Sequence, residues 1–216
     1  MALPRMRTAT GTAPISRWLG GQDQPVPAWV LVTAALCPLL VIGAPAGAGV
    51  MQPAYSPIRD TVSALAGQGG AQPWIVTSAL FVVGACYLAT AVGLTGLRLP
   101  ARILLAVAGL SSIGIAASPE PAVGSTPQHL AWTVLGAAAI TVWPAFTVRR
   151  GPGQPLILTA RGAAAVTVVF LALSGWLLVE TRVGTLLGLS ERVMSGVMTT
   201  WPFVVALAVR QGAPAR

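Results

Sequence analysis

Six apolar stretches alternate with short polar connections along this chain, at 27–48, 73–95, 101–117, 128–148, 162–180 and 193–209. A helix rises about 1.5 Å per residue, so roughly 20 apolar residues cross a hydrocarbon core of about 30 Å. The pattern predicts an all-α fold, a polytopic membrane bundle of six transmembrane helices. The third stretch is short and is expected to be displaced or sheltered by its neighbours. A seventh, shorter element is expected between the first two spans, where Ser56 can cap a helix, Pro57 suits its first position and Gly67 can end it. On such a helix Ile58, Val62 and Leu65 share one face while Arg59 and Ser63 share another, with Asp60 beside them. This reads as an amphipathic helix lying on, or dipping into, the membrane boundary.

Charge gives the bundle an orientation. Only 8% of the 216 residues are charged, too few to cover a water-soluble surface, and all 13 cations are arginines. With six spans, Arg5, Arg7, Arg17, Arg98, Arg102, Arg149, Arg150, Arg161, Arg210 and Arg216 share one side with a single acid, Asp23. The opposite side carries Arg59, Arg182 and Arg192 against Asp60, Glu120, Glu180 and Glu191. The positive-inside rule then places both termini in the cytoplasm of a bacterial cell and the protein in its plasma membrane. The expected organisation is a disordered cytoplasmic segment over 1–26, a six-span domain over 27–210 and a cytoplasmic tail over 211–216. The arginines ahead of the first span imitate a signal peptide, but a charged leader of this length points to an uncleaved first span.

Trp29, Trp74, Trp132 and Trp143 fall near span ends, where an amphipathic ring favours the headgroup level. Trp143-Pro144 and Trp201-Pro202 are each expected to free a carbonyl and bend a helix, and Pro38 offers the first span a kink. Gly43 and Gly47 make a G-x-x-x-G face suited to close helix contact, within the chain or between copies. Cys37 and Cys86 lie inside apolar stretches and read as small packing residues.

Chemistry concentrates on the outward side. Asp60, Glu120 and the single histidine, His129, are the candidate acid-base groups, and Glu120 with His129 offers a proton carrier or half of a metal site. Arg59, Ser63, Glu180, Arg182, Glu191 and Arg192 are candidate ligand-binding residues, the arginines for a phosphate or carboxylate headgroup. Each has a plainer alternative: a lid over the bundle, a hydrogen-bonded boundary histidine, Ser190 capping the sixth span with Glu191 in its first turn, and Glu180 paired with Arg182. No metal site is complete in the sequence, and the cofactor is unknown.

The runs Tyr55-Ser56-Pro57 with Ser63, Pro119-Glu120 with His129, and Gly188-Leu189 with Glu191-Arg192, in this order on a six-span chain, resemble the bacterial integral-membrane family known as domain of unknown function 998. The resemblance covers roughly residues 27–210 and implies a fold and a compartment, not an activity. Where the family pattern has an aromatic-proline pair and an aspartate before the histidine, this chain has Ser118-Pro119 and Glu120.

Three functions stand open. The first is an assembly or envelope-associated membrane protein whose outer helix and glycine face dock a lipid, a second copy or a partner membrane protein. The second is a lipid-binding or lipid-modifying membrane enzyme with an outer acid/His site; it predicts that the outer segments converge on one pocket, and a His129 more than about 10 Å from both Asp60 and Glu120 rules out direct cooperation, which needs roughly 3–6 Å. A transporter ranks last, because the span centres lack ionisable groups. Membrane lipids are the expected partners. Nucleic acid is not one, since the arginines are spread over four short pieces with no supporting motif. No nucleotide-binding loop, H-E-x-x-H or nucleophile elbow is present.

Overall fold

The computed structural model describes residues 26–151 and 153–211. The expected disordered N-terminal segment, with its arginines and Asp23, and nearly all of the C-terminal tail lie outside the described residues. The described residues form an all-helical fold: α1 (Ala28–Val50), α2 (Val62–Ala66), α3 (Pro73–Gly93), α4 (Leu99–Ala117), α5 (Pro127–Val142), α6 (Ala160–Val183) and α7 (Leu187–Gln211). Every one of these except α2 belongs to a helix long and apolar enough to cross a membrane, α5 with the turn that follows it. Their exposed surfaces are apolar too, with Val32, Leu39, Val92, Val168 and Leu178 all exposed, as expected for helices facing lipid.

Helix α3 packs against both α1 and α4, α4 continues to α5, and α7 closes the bundle between α1 and α6. Several polar side chains inside the spans are satisfied locally. The Thr33 and Thr90 hydroxyls meet at 2.8 Å, Thr141 and Ser174 at 2.9 Å, and Ser112 donates to the Leu80 carbonyl at 2.8 Å. Cys37 and Cys86 are buried free thiols. Arg102 reaches back from α4 to the Ala91 and Val92 carbonyls at the end of α3, at 2.8 and 2.9 Å, so a residue counted in the charge asymmetry also caps a helix.

Four expectations are corrected. Trp143 does not present its ring to headgroups: it is fully buried in the bundle, and its indole N–H donates to the Ala101 carbonyl at 2.8 Å. The α5 helix stops at Val142 and tightens into a 3-10 turn over Trp143–Phe146, because Pro144 has no N–H to continue the ladder. Pro38, Pro45 and Pro202, by contrast, are carried inside continuous helices. The short second helix starts at Val62 rather than after Ser56. The Asp60 carboxylate accepts the Ser56 N–H at 2.7 Å and closes a separate turn, leaving Thr61 as the cap. Helix α7 starts at Leu187, so Ser190 lies inside it, bonded to the Leu187 carbonyl, and is not its cap.

Candidate functional site

The three connections of the acid-bearing end fold onto one another, and each is held by an identifiable contact. Gly67 ends α2 where a Cβ would stand 2.9 Å from the Glu120 carbonyl oxygen, and the next N–H, of Gln68, donates to that oxygen at 2.8 Å. Only glycine allows this approach, and it fixes the 118–126 connection beside α2. The start of α7 is stitched to the 55–62 segment. Leu189 N–H donates to the Ile58 carbonyl at 2.9 Å, and Val62 N–H donates to the Glu191 carboxylate at 2.7 Å. The Arg192 guanidinium donates to the carbonyls of Pro57, Asp60 and Gly188 at 3.0, 3.0 and 2.9 Å and to the Tyr55 hydroxyl, and it lies 5.4 Å over the Tyr55 ring.

His129 stands in the first turn of α5, where the Thr126 hydroxyl caps the helix by accepting the His129 backbone N–H at 3.1 Å. The residue is buried, 4% exposed, and its imidazole has three polar neighbours. Nδ1 lies 2.8 Å from the Ser118 carbonyl oxygen, and Nε2 lies 3.2 Å from Ser63 Oγ and 3.5 Å from Glu120 Oε1. A carbonyl can only accept, so Nδ1 carries a proton, and Nε2 of the neutral ring is an acceptor facing the serine hydroxyl. Ser63, Glu120 and His129 thus meet around one ring nitrogen, although 66 positions separate the serine from the histidine.

These groups form one end of a cavity of about 380 Å³ that continues into the bundle. Thr61, Ser63, Glu120, His129 and Glu191 line it at the acid-bearing end; Val76, Leu80, Val83, Ile140 and Met198 are among the side chains along its length. The size falls within the range of about 300–1,000 Å³ typical of small-molecule sites. Tyr87 and Ser111 also line it, and among the described residues neither hydroxyl has a hydrogen-bond partner.

Asp60, Arg59, Glu180 and Arg182 make no contact with the His129 ring. Asp60 lines a second hollow together with Arg59, whose side chain is exposed, and Glu120 lines both. Glu180 is buried, and its carboxylate accepts the Leu186 N–H at 2.8 Å and the Thr185 hydroxyl at 3.4 Å, holding the tight 184–186 connection rather than pairing with Arg182. Arg182 is exposed in the last turn of α6. Among the described residues no three His, Cys, Asp or Glu side chains group as metal ligands. Thr61, Ser118 and Tyr55 had no assigned place in the site by sequence. Tyr55 was visible in the Tyr-Ser-Pro run, but Ser118 contributes only a backbone oxygen, which no side-chain pattern reveals.

In comparison with known proteins, residues 29–208 match the family model described as "Protein of unknown function (DUF998)". No curated protein and no solved structure matches the chain.

Proposed function

Because the chain belongs to the DUF998 family, whose description assigns no activity, we propose its function from the site itself: it is a membrane protein that binds an amphiphilic lipid, holding the apolar chain in the bundle cavity and the polar linkage beside Ser63, Glu120 and His129. One observation carries this reading, the continuity of a mostly apolar cavity with a polar end inside six membrane-crossing helices. A soluble metabolite would leave most of that lining unmatched, whereas an alkyl chain exchanges one apolar surrounding for another. The arginine asymmetry supports an arrangement in which this end faces outward from a bacterial plasma membrane, with both termini cytoplasmic. Glu191 and Arg192 then serve the site by holding α2 and its preceding turn in place.

The test is native mass spectrometry of the protein released gently from its own membrane, compared with Ala137→Phe, which fills the cavity wall. The wild type is expected to carry an alkyl-chain lipid, and the equally stable Ala137→Phe variant to lose most of it. A wild type free of lipid, or equal retention in both, overturns the reading.

A second reading is favoured by a separate observation. At both Gly43 and Gly47 an added Cβ meets nothing within 4 Å, so the G-x-x-x-G face is unused inside the chain and is free for a second copy or a partner membrane protein. The same spectra report it, as a dimer or a complex sensitive to Gly47→Leu.

A further inference from the structure

We propose that Ser63 is a nucleophile and His129 its general base, so that the site cleaves a carboxylic ester in the amphiphile it binds. The substrate class rests on the lipid-cavity reading above; the pairing of nucleophile and base rests on geometry alone. A serine hydroxyl is a weak nucleophile unless a neighbouring base takes its proton, and that base must itself be oriented by a third group. Here the third group is the Ser118 carbonyl. At 2.8 Å from Nδ1 it holds the tautomer in which Nε2 has a free lone pair, and that lone pair lies 3.2 Å from Ser63 Oγ.

Both partners are fixed from several directions. The ring is buried at a helix start capped by Thr126. The serine sits on a five-residue helix whose cap is Thr61 and whose first N–H is held by Glu191. Glu120 Oε1, at 3.5 Å from Nε2, is too distant for a good hydrogen bond but close enough to stabilise the positive ring that forms when the proton arrives. The location suits an ester as well. In an acylated lipid the ester joins the alkyl chain to the headgroup, and a chain lying in the cavity puts that junction at its polar end, beside Ser63.

The steps balance without an oxidant or metal. Ser63 Oγ bonds to the ester carbonyl carbon as its proton passes to Nε2. The tetrahedral adduct collapses, the bond to the alcohol oxygen breaks, and Nε2 returns the proton to that oxygen, leaving the acyl group on Ser63. Water then attacks the acyl carbon, gives a proton to Nε2, and Oγ departs with it. The net reaction is ester and water to carboxylic acid and alcohol.

An alkyl fluorophosphonate tests the pair directly, since attack by an activated serine forms an oxygen–phosphorus bond and expels fluoride. The full chain in detergent is incubated with the probe, and the modified residue is located by peptide mapping, with native mass spectrometry of bound lipid on the same preparation. The expected result is modification of wild type at Ser63, none in Ser63→Ala, and a rate at least about 100-fold lower in His129→Gln, the usual scale of general-base assistance. Glu120→Gln, which leaves the Ser118 contact intact, also slows labelling, and it serves if His129→Gln fails to fold. A wild type that carries lipid but is not modified at Ser63 overturns this inference and leaves the binding reading standing; absence of both overturns the two together. Modification at equal rates in wild type, His129→Gln and Glu120→Gln, or equally in heat-unfolded protein, shows a merely accessible serine and overturns the pair.

Discussion

Tyr55 and Arg192 lie 137 positions apart and meet at one hydroxyl, which accepts from the guanidinium and has the Thr61 and Asp60 carbonyls at 3.0 and 3.2 Å to donate to. Only a protonated phenol can fill both roles. Burial pushes the Tyr55 hydroxyl above its ordinary pKa, and the Arg192 hydrogen bond draws it part of the way back. A folded-state pKa raised in this way means that the unfolded chain releases its proton first. The stabilising contribution is therefore complete below the ordinary phenol pKa near 10 and is lost as pH rises from there through the folded value. Tyr55→Phe is expected to cost about 1 kcal/mol at neutral pH, the typical worth of a hydrogen bond, and to flatten the alkaline fall in stability. Thermal unfolding in detergent from neutral to strongly alkaline pH checks it, and an unchanged slope would count against the assignment. The sequence displays both residues as members of polar connections but does not pair them, because the contact depends on where α7 begins.

At the scale of elements, the apolar runs locate α1, α3, α4 and α6 to within a few residues, since burial against lipid requires nearly every position in a span to be apolar. The ends depend on local hydrogen bonds instead. Asp60 captures the Ser56 N–H and shortens α2, Pro144 halts α5, and Glu180 accepts the N–H just ahead of α7. Glycines separate along the same line. At Gly84 of α3 an added Cβ would stand 2.7 Å from the Gly109 carbonyl oxygen of α4, and at Gly109 the reverse approach to the Gly84 oxygen is 2.8 Å. Gly84→Ala is expected to destabilise by about 1–3 kcal/mol, the scale of overpacking, because backbone cannot step aside. Gly43→Ala, open on all sides, is expected to be neutral or to stabilise its helix by about 0.5–1 kcal/mol in the absence of a partner. Parallel thermal unfolding of the two monomeric variants decides whether α3 and α4 pack as closely as described.

For the whole molecule, the arginine asymmetry and the acid-bearing cavity end make a joint prediction about direction. Val123 and Leu156 are exposed in connections at opposite ends of the bundle, whereas the native thiols of Cys37 and Cys86 are buried. A membrane-impermeant thiol reagent added to intact cells is expected to modify Val123→Cys at once and Leu156→Cys only after permeabilisation. The reverse pattern would turn the Ser63 site toward the cytoplasm and with it the compartment from which ligand enters.

The amino-acid sequence by itself determined that this is a multi-helix membrane chain, where most spans run and that Asp60, Glu120, Glu180, Glu191 and His129 gather at one end of the bundle, because hydropathy and charge act on each segment separately. The DUF998 resemblance was likewise readable in its short runs, and the family match over 29–208 agrees with it. Only the tertiary structure decided which polar residues meet. Ser63, Glu120 and His129 converge because Gly67 lets the 118–126 connection rest on α2 and because the Ser118 carbonyl turns one imidazole face. Asp60, Glu180 and Arg192, equally prominent in the sequence, have hydrogen-bonding groups taken up by backbone. Such contacts form between segments that are far apart along the chain and often involve main-chain atoms every residue possesses, so they arise from packing geometry rather than from residue type.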